Sequence, residues 1–512
     1  MIIVIHQNNT LVKILNENRE EINHATEKDL VSLLFSIAKS YPNEIILWCN
    51  RGYVDSLDFD NIGQIFHHPK MMVSYSVANK KYLTDHIGYV DDTPFINVKY
   101  NVSYPTWLMS SDVGGIHAVV LNSLNPNDFL EKKISLFLNS LANTAMSGGL
   151  LCYSNPSLLK GNPKPKIPLE QVSNFELFIF IRRHYKKGWV FFLFTSLLFF
   201  EKKLSFFPLI ASVFYKKKNL DNSVISKIEA KSMIETSLVR TIDVIIPTIG
   251  RKKYLYDVLI DLTAQTVLPK RVIIVEQNPD LDTTSELDYV YALDWPYEIV
   301  HKFTHRTGAC NARNLAIAET RSEWVFFADD DNRLRPDTLE QALRILSELG
   351  ARAITSSYLQ KNEKKTGFTI RQWPTFGAGN SFIKGDVARS IKFDLSYEHG
   401  YGEDKDYGMK LRNIGVDVIY HPFDILHLKA PIGGFRNSIE KPWESESILP
   451  KPSPTIMLYR LKHTTKQQLR GYKILLFIKF YKKQAIKNPI AYIQKMNNAW
   501  NSSVNWAKTL DE

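Results

Sequence analysis

The run Val325-Phe326-Phe327-Ala328, followed at once by Asp329-Asp330-Asp331, constrains this chain more than any other stretch. Four apolar residues suit a buried strand, and strand interiors exclude aspartate, so the strand must stop at Ala328 and surface at the edge of a sheet. Three adjacent carboxylates disfavour one another's charge. A divalent cation relieves that repulsion, because hard cations take carboxylate oxygens, and one or two suffice when a phosphate completes the shell. Taken alone, the triplet also reads as a solvated turn, which Asp-Asp-Asn serves equally well.

The surrounding chain narrows the choice. At 512 residues it exceeds one ordinary core, so two or three domains are expected. Its 44% hydrophobic and 23% charged residues are those of a globular protein and exclude a disordered one. The net charge of +11 favours an anionic partner: nucleotide, membrane surface or nucleic acid. Cys49, Cys152 and Cys310 lie too far apart for a ligand pair or disulfide framework, as expected in a reducing cytoplasm. Residues 1–6 have neither a basic start nor a long apolar core, so no secretory leader is expected. Residues 189–215 are two apolar halves split by Glu201-Lys202-Lys203, each short of the roughly 20 residues of a span, and read as interfacial or core helices.

Four segments follow from the pattern. Residues 1–155 alternate strands (2–5, 45–49, 71–77, 149–153) with helices (28–39, 129–146), the order of an α/β domain. Residues 156–240 are basic and aromatic, then polar, as amphipathic helices and a linker would be. Residues 241–440 begin α/β alternation afresh: strands 242–246, 271–275 and 416–420, helices 253–265, 308–319 and 405–413, and a helix from Pro336. Residues 441–512 form a basic helical tail, with eleven Lys/Arg between Arg460 and Lys508, suited either to an anionic membrane surface or to packing on the catalytic domain. Residues 28–50 also lay over 253–278, and GGLLCYSNP over GVDVIYHP, which makes the first segment a degenerate copy of the third without its acids.

Within 241–440 four pieces converge. Pro247-Thr248 and Glu276 end parallel strands, at the edge where α/β sheets bind ligands. The aspartate triplet ends another strand. Gly377-Ala-Gly-Asn380 admits close backbone approach. Glu403-Asp404 opens a helix, whose dipole favours a charged carboxylate. The ordered set VIIPTIGR, GACNARNLAIA, FFADDDNRLRPD, GAGN and GEDKDYGMKLRNIG resembles a family 2 glycosyltransferase of GT-A fold, an α/β domain with a mixed, mostly parallel sheet.

The resemblance implies roles. Pro247, Thr248 and Glu276 would line the nucleoside pocket, with Arg313, Gly379 and Asn380 also on the nucleotide-sugar side. Asp329 and Asp331 would form the Asp-x-Asp motif, Asp331 as direct ligand to Mg²⁺ or Mn²⁺, and Asp330 would face the nucleotide sugar. Asp404, with Glu403 beside it, would be the catalytic base, and His427 a further metal ligand. Strand 271–275 runs on into Glu276-Gln277-Asn278 instead of paired aspartates, so no particular base is implied.

From the residues, Lys429 and Arg436 could clamp a diphosphate from a mobile loop, and Trp373 could stack on an acceptor sugar or pack in the core. Cys310 reads as core and Asp406 as a solvated helix-face charge. One base without a protein nucleophile predicts single displacement with inversion. The expected protein is thus a metal-dependent inverting hexosyltransferase-type enzyme. It would use a nucleotide-diphosphate sugar and a glycan or lipid-linked acceptor in cell-surface polysaccharide synthesis, in the cytoplasm, peripheral to the inner face of the membrane. The alternatives are a non-catalytic sugar- or membrane-binding scaffold and a sugar-nucleotide pyrophosphorylase, whose phosphate loop Pro247–Arg251 is too short to be. Nucleic-acid binding lacks a recognition motif.

Overall fold

The structure, a computed structural model, describes residues 1–512 except 24–26, 28, 130, 162, 166–169, 219–220, 235–240 and 432–440. Two sheets carry the fold. The first holds β1 (Ile2–Gln7), β2 (Thr10–Leu15), β3 (Ile45–Asn50), β4 (Met71–Tyr75), β5 (Tyr104–Pro105), β6 (Val113–His117) and β7 (Leu151–Ser154), in the order β2-β1-β3-β6-β4-β7-β5. The second holds β8 (Ile242–Thr248), β9 (Arg271–Gln277), β10 (Glu298–Thr304), β11 (Trp324–Ala328), β12 (Asn332–Arg333), β13 (Ala353–Gln360), β14 (Arg371–Gln372), β15 (Asn380–Lys384) and β16 (Ile419–His427). Its order is β10-β9-β8-β11-β15-β13-β16-β12, with β14 on β16. This is the mixed, mostly parallel α/β sheet expected of a GT-A unit.

β8, β9 and β11 are buried along their whole length because helices cover both faces of the parallel part of the sheet, which makes them near-continuous apolar runs. The helix Thr338–Leu349 begins two residues later than Pro336 suggests and stops at Gly350, whose φ of +58° is a left-handed cap.

The two sheets share one pattern. β1 runs parallel to β3, β3 antiparallel to β6, β6 antiparallel to β4, and β4 parallel to β7. β8, β11, β15, β13 and β16 repeat those relations in the same chain order. Even the short β5, antiparallel to β7, has its counterpart in β14 against β16. The two units thus share one strand pattern, in which β3 corresponds to β11 and not to the strand in 253–278. Among the described residues the first unit has no equivalent of β9 and β10, and the antiparallel β2 takes their edge. Helix–proline–strand is common to every α/β unit, so that local likeness picked the wrong strand.

An apolar cluster joins the units, with Ile3, Leu47 and Val73 from the first packing among Val244, Phe326 and Ile354 of the second. Gln372 bonds both the amide and the carbonyl of Cys152, tying β14 to β7. Three helices, Pro454–His463, Lys466–Tyr481 and Pro489–Asp511, pack across the seam. Arg460 pairs with Asp92, Gln468 donates to the Asp91 and Thr93 carbonyls, and Met457, Met496 and Trp500 enter the core of the second unit. Asp406 is not a solvated charge: it is 1% exposed and holds His463 Nε2 at 2.7 Å and Lys410 at 2.9 Å. The seam helices cover it, which local pattern cannot show.

Candidate active site

β8 and β9 end side by side with Thr248 opposite Glu276, and β11 delivers the three aspartates to the same edge. The carboxylates then diverge. Asp330, 3% exposed, accepts from Thr248 Oγ1 at 2.7 Å and Arg251 Nη1 at 2.8 Å. Burial pushes it up to about 7 although both partners oppose the rise. Asp331, 1% exposed, accepts from the Ala430 amide at 2.9 Å and from Arg251 at 3.2 Å. Burial alone would raise Asp331, but the His427 imidazole and the Ala430 N–H outweigh it and hold the carboxyl below its usual value. Burial lowers His427 less than Asp331 raises it, so the imidazole titrates above its usual value. Asp329 is more open, with Tyr358 Oη at 3.0 Å and Arg313 Nη2 at 3.3 Å.

Asp329, Asp331 and His427 each bring a ligand atom within 4.8 Å of the others. Asp331 Oδ1 lies 3.4 Å from His427 Nε2 and is buried without a hydrogen bond among the described residues. A buried carboxylate oxygen lacking a donor, beside a second carboxylate and an imidazole, fits a small divalent cation such as Mg²⁺ or Mn²⁺. The His427 ring stacks on Tyr358 at 4.5 Å and 7°, which fixes the direction of its nitrogens.

Gly379 leaves room for this arrangement, because a Cβ there would fall 2.1 Å from Asp329 Oδ2. Its neighbour Asn380 is spent internally, donating to the Ser356 carbonyl at 2.8 Å and to Thr355 at 3.2 Å. The same loop reaches Asp404, since the Ala378 N–H bonds its carboxylate and the Phe376 amide its carbonyl. Asp404 is the second residue of the helix Glu403–Asn413, which Gly402 opens at φ +119°. Burial first, and then the half-buried Glu403 beside it, push Asp404 up to about 7. Its Oδ1 has no partner among the described residues. Buried Arg313 faces both acidic groups, raised above its usual value because Asp329, Asp404 and Glu403 together outweigh its burial.

The other expected residues fall differently. Glu276 has both oxygens engaged, by the Glu286 amide, by Ser285 and by His301 at 2.9 Å. Those contacts outweigh its burial and keep it below the usual glutamate range. Pro247 sits within β8, next to Thr248. Trp373 packs against Tyr420 at 5.1 Å under Arg371, half-buried. Lys429 is exposed, Arg436 lies outside the described residues, and Cys310 is core.

Three contributors escaped the sequence reading. Arg251 bridges Asp330, Asp331 and the Ala430 carbonyl; its only signal was its place at the end of VIIPTIGR. Tyr358 orients Asp329 and His427 from mid-strand, where nothing marks it. Glu398 accepts from the Cys310 and Asn311 amides and so caps the helix that carries Arg313, a long-range contact with no local signature.

Residues 243–401 match the family model "Glycosyl transferase family 2". An "Uncharacterized glycosyltransferase" of Haemophilus influenzae is 27% identical over 107 residues, 21% of this chain and 35% of that protein, so the chain spans about a third of that curated relative. Similar solved structures include S. aureus TarS 1–349, at 15% identity and TM-score 0.35 over 53% of this chain and 82% of that one. The same fragment in complex with UDP-GlcNAc gives 18% and 0.35 over 53% and 83%. Residues 243–401 of this chain are thus similar to glycosyl transferase family 2.

Proposed function

We propose that the chain transfers a sugar from a nucleoside-diphosphate donor to a hydroxyl of a glycan or lipid-linked acceptor, with metal assistance and inversion at the anomeric carbon. The observation that carries this reading is the pairing of one high-pKa carboxylate, Asp404, with the Asp329–Asp331–His427 group across Arg313. Asp404 takes the acceptor hydroxyl proton as the oxygen attacks the anomeric carbon. The bond from that carbon to the diphosphate breaks, and its electron pair leaves on the phosphate oxygen. Arg313 faces the charge that develops between donor and base. A divalent cation held by Asp331, Asp329 and His427 would supply Lewis-acid neutralisation of the diphosphate. The test is transfer or hydrolysis of UDP-, GDP- and dTDP-sugars by purified protein with and without Mn²⁺ or Mg²⁺, with anomeric configuration read by NMR. A retained configuration, or metal-independent donor binding, sinks the respective part.

Attachment to an anionic membrane, and with it a place in surface-polysaccharide synthesis at the inner face of the cytoplasmic membrane, is favoured by a separate surface. On helices Gly188–Glu201 and Phe206–Val213 and the residues around them, Phe199, Leu204, Phe207 and Phe214 are 65–83% exposed. Lys186, Lys187, Lys202, Lys203, Lys216 and Lys217 flank them in sequence. No helix among the described residues is long and apolar enough to cross a membrane. Aromatic residues rimmed by lysines instead suit insertion at the headgroup level, each lysine adding about 1 kcal/mol on an anionic surface. Co-sedimentation with vesicles of anionic and of neutral lipid tests this. Phe207→Asp with Phe214→Asp should abolish binding, and equal binding to both vesicle types counts against it.

A further inference from the structure

The first unit has a counterpart of the active-site edge, and it has a cavity there. The helix 134–145 opens with Ile134-Ser135 where the second unit opens its helix with Glu403-Asp404. The strand pairs set the register: Ile45 faces His117 as Trp324 faces Lys384, His117 and Lys384 each ending a strand just before a helix. Asn50 thus stands for Asp329, Gly52 for Asp331 and Ser135 for Asp404. Every acid of the transfer chemistry has been replaced by a neutral group.

His6, Asn50, Tyr82, Ser111 and Ser135 line this cavity of about 60 Å³, with Asn8, Lys80 and Glu170 at its exposed rim. Two of its polar groups are left over. His6, 2% exposed, directs Nε2 to the Ser111 carbonyl at 2.8 Å, and its Nδ1 is buried without a partner among the described residues. Tyr82, 5% exposed, has a buried hydroxyl in the same condition. With Nε2 donating, Nδ1 is an acceptor, while Tyr82 can both donate and accept. Burial keeps His6 neutral and the Tyr82 phenol protonated. Buried polar groups are almost always paired, so two orphans on one cavity mark a place where hydrogen-bonding groups are expected from outside.

The chemistry selects the ligand. Small hydroxyl groups suit the cavity of about 60 Å³ better than a nucleoside diphosphate, since no metal-capable acid cluster is found here among the described residues. Of the charged groups, Glu170 pairs with Lys133 at 2.9 Å, Asp112 accepts from the Val77 amide at 2.9 Å, and Lys80 is exposed at the rim. We propose that the first unit is a saccharide-binding module, seating neighbouring hydroxyls of an uncharged sugar between His6 and Tyr82 with the ring against the rim. Resting on the glycosyltransferase reading, it is a docking point for the growing glycan acceptor.

Saturation-transfer NMR of the full-length protein with millimolar hexoses, N-acetylhexosamines and their disaccharides tests the site. Wild type should saturate at least one sugar, and Asp331→Ala should bind it equally, since that change touches only the second unit. Tyr82→Phe, which removes only an unpaired hydroxyl, should keep or raise the melting temperature while weakening binding about tenfold. Absence of saturation in a wild type that still binds sugar nucleotides overturns the site, as does undiminished binding by Tyr82→Phe. Saccharide binding without any sugar-nucleotide binding leaves the site standing and removes the glycosyltransferase reading instead.

Discussion

The two units of this chain share strand order and direction, yet differ in what the end of the third or eleventh strand carries. In the first unit β3 ends on Asn50, with Arg51 and Gly52 after it. In the second, Asp329, Asp330 and Asp331 follow the end of β11, and Gly379 makes room for a carboxylate. The scaffold therefore sets only the location of a pocket. Whether it does chemistry depends on the strands β9 and β10, on the acids at β11 and on the Glu403–Asn413 helix, all of which the first unit lacks or has in neutral form.

The sharpest break in the comparison is expected at Asp404. Asp404→Asn keeps the shape and removes the base, so kcat should fall by about 10³, within the range of lost general-base catalysis. An unaffected kcat would mean that the acid distinguishing the two helices is incidental. A pH profile comes next. Asp404 sits near 7, so it is ionised and competent only above that, and kcat should drop about tenfold per unit on the acid side. Stability should move the opposite way. A carboxyl whose folded pKa lies above its ordinary value of 3.8 stabilises the fold fully below that value and loses the contribution as pH rises through about 7. Thermal melts between pH 4 and 8 should show the decline in wild type and a flatter curve in Asp404→Asn.

A smaller effect separates the two glycines. Gly379→Ala must push the Asp329 carboxylate aside, since its Cβ would otherwise lie 2.1 Å from Oδ2. Donor affinity in the presence of Mn²⁺ should fall about tenfold to a hundredfold, as expected when a ligand's support is lost. Gly114→Ala presses instead on Trp48, so it should lower the melting temperature and leave metal-dependent donor binding intact. Equal effects on donor binding would dissolve the distinction drawn between the units.

How much of this was legible in the sequence depends on range. The acid-bearing strand end, the Glu-Asp helix start and the Gly377–Asn380 loop announce themselves because each depends on residue types the local backbone or charge requires. Asp329, Asp331 and His427 gather within 4.8 Å of one another, and Thr248 bonds Asp330 beside them. What local pattern could not supply is which carboxylates are already spent. Glu276 is held by Ser285 and His301, Asn380 by β13, and Asp406 by a histidine 57 positions away. Arg251 and Tyr358 were missed for the same reason, since their partners lie on other strands. The shared pattern was sensed from helix–proline–strand likeness, but only strand direction and pairing revealed which strands correspond.

The weakest expected effect concerns how the units are joined. Gln372 is 4% exposed and spans the seam, donating to the Cys152 carbonyl at 3.1 Å and to Asp417 at 2.8 Å while accepting from the Cys152 amide at 2.8 Å. Asp417 also receives the Tyr153 hydroxyl at 3.1 Å, and its burial raises its carboxyl above the usual range. Gln372→Ala strands the Cys152 amide and takes one donor from the buried Asp417 carboxyl, at a cost of about 2 kcal/mol. Because the apolar cluster between the sheets holds residues of both units, that loss should appear as one cooperative unfolding transition displaced to lower denaturant, with the slope unchanged. Two resolved transitions would mean that each unit keeps a core of its own, and the first unit would then be a module appended to the enzyme and not a wall of it.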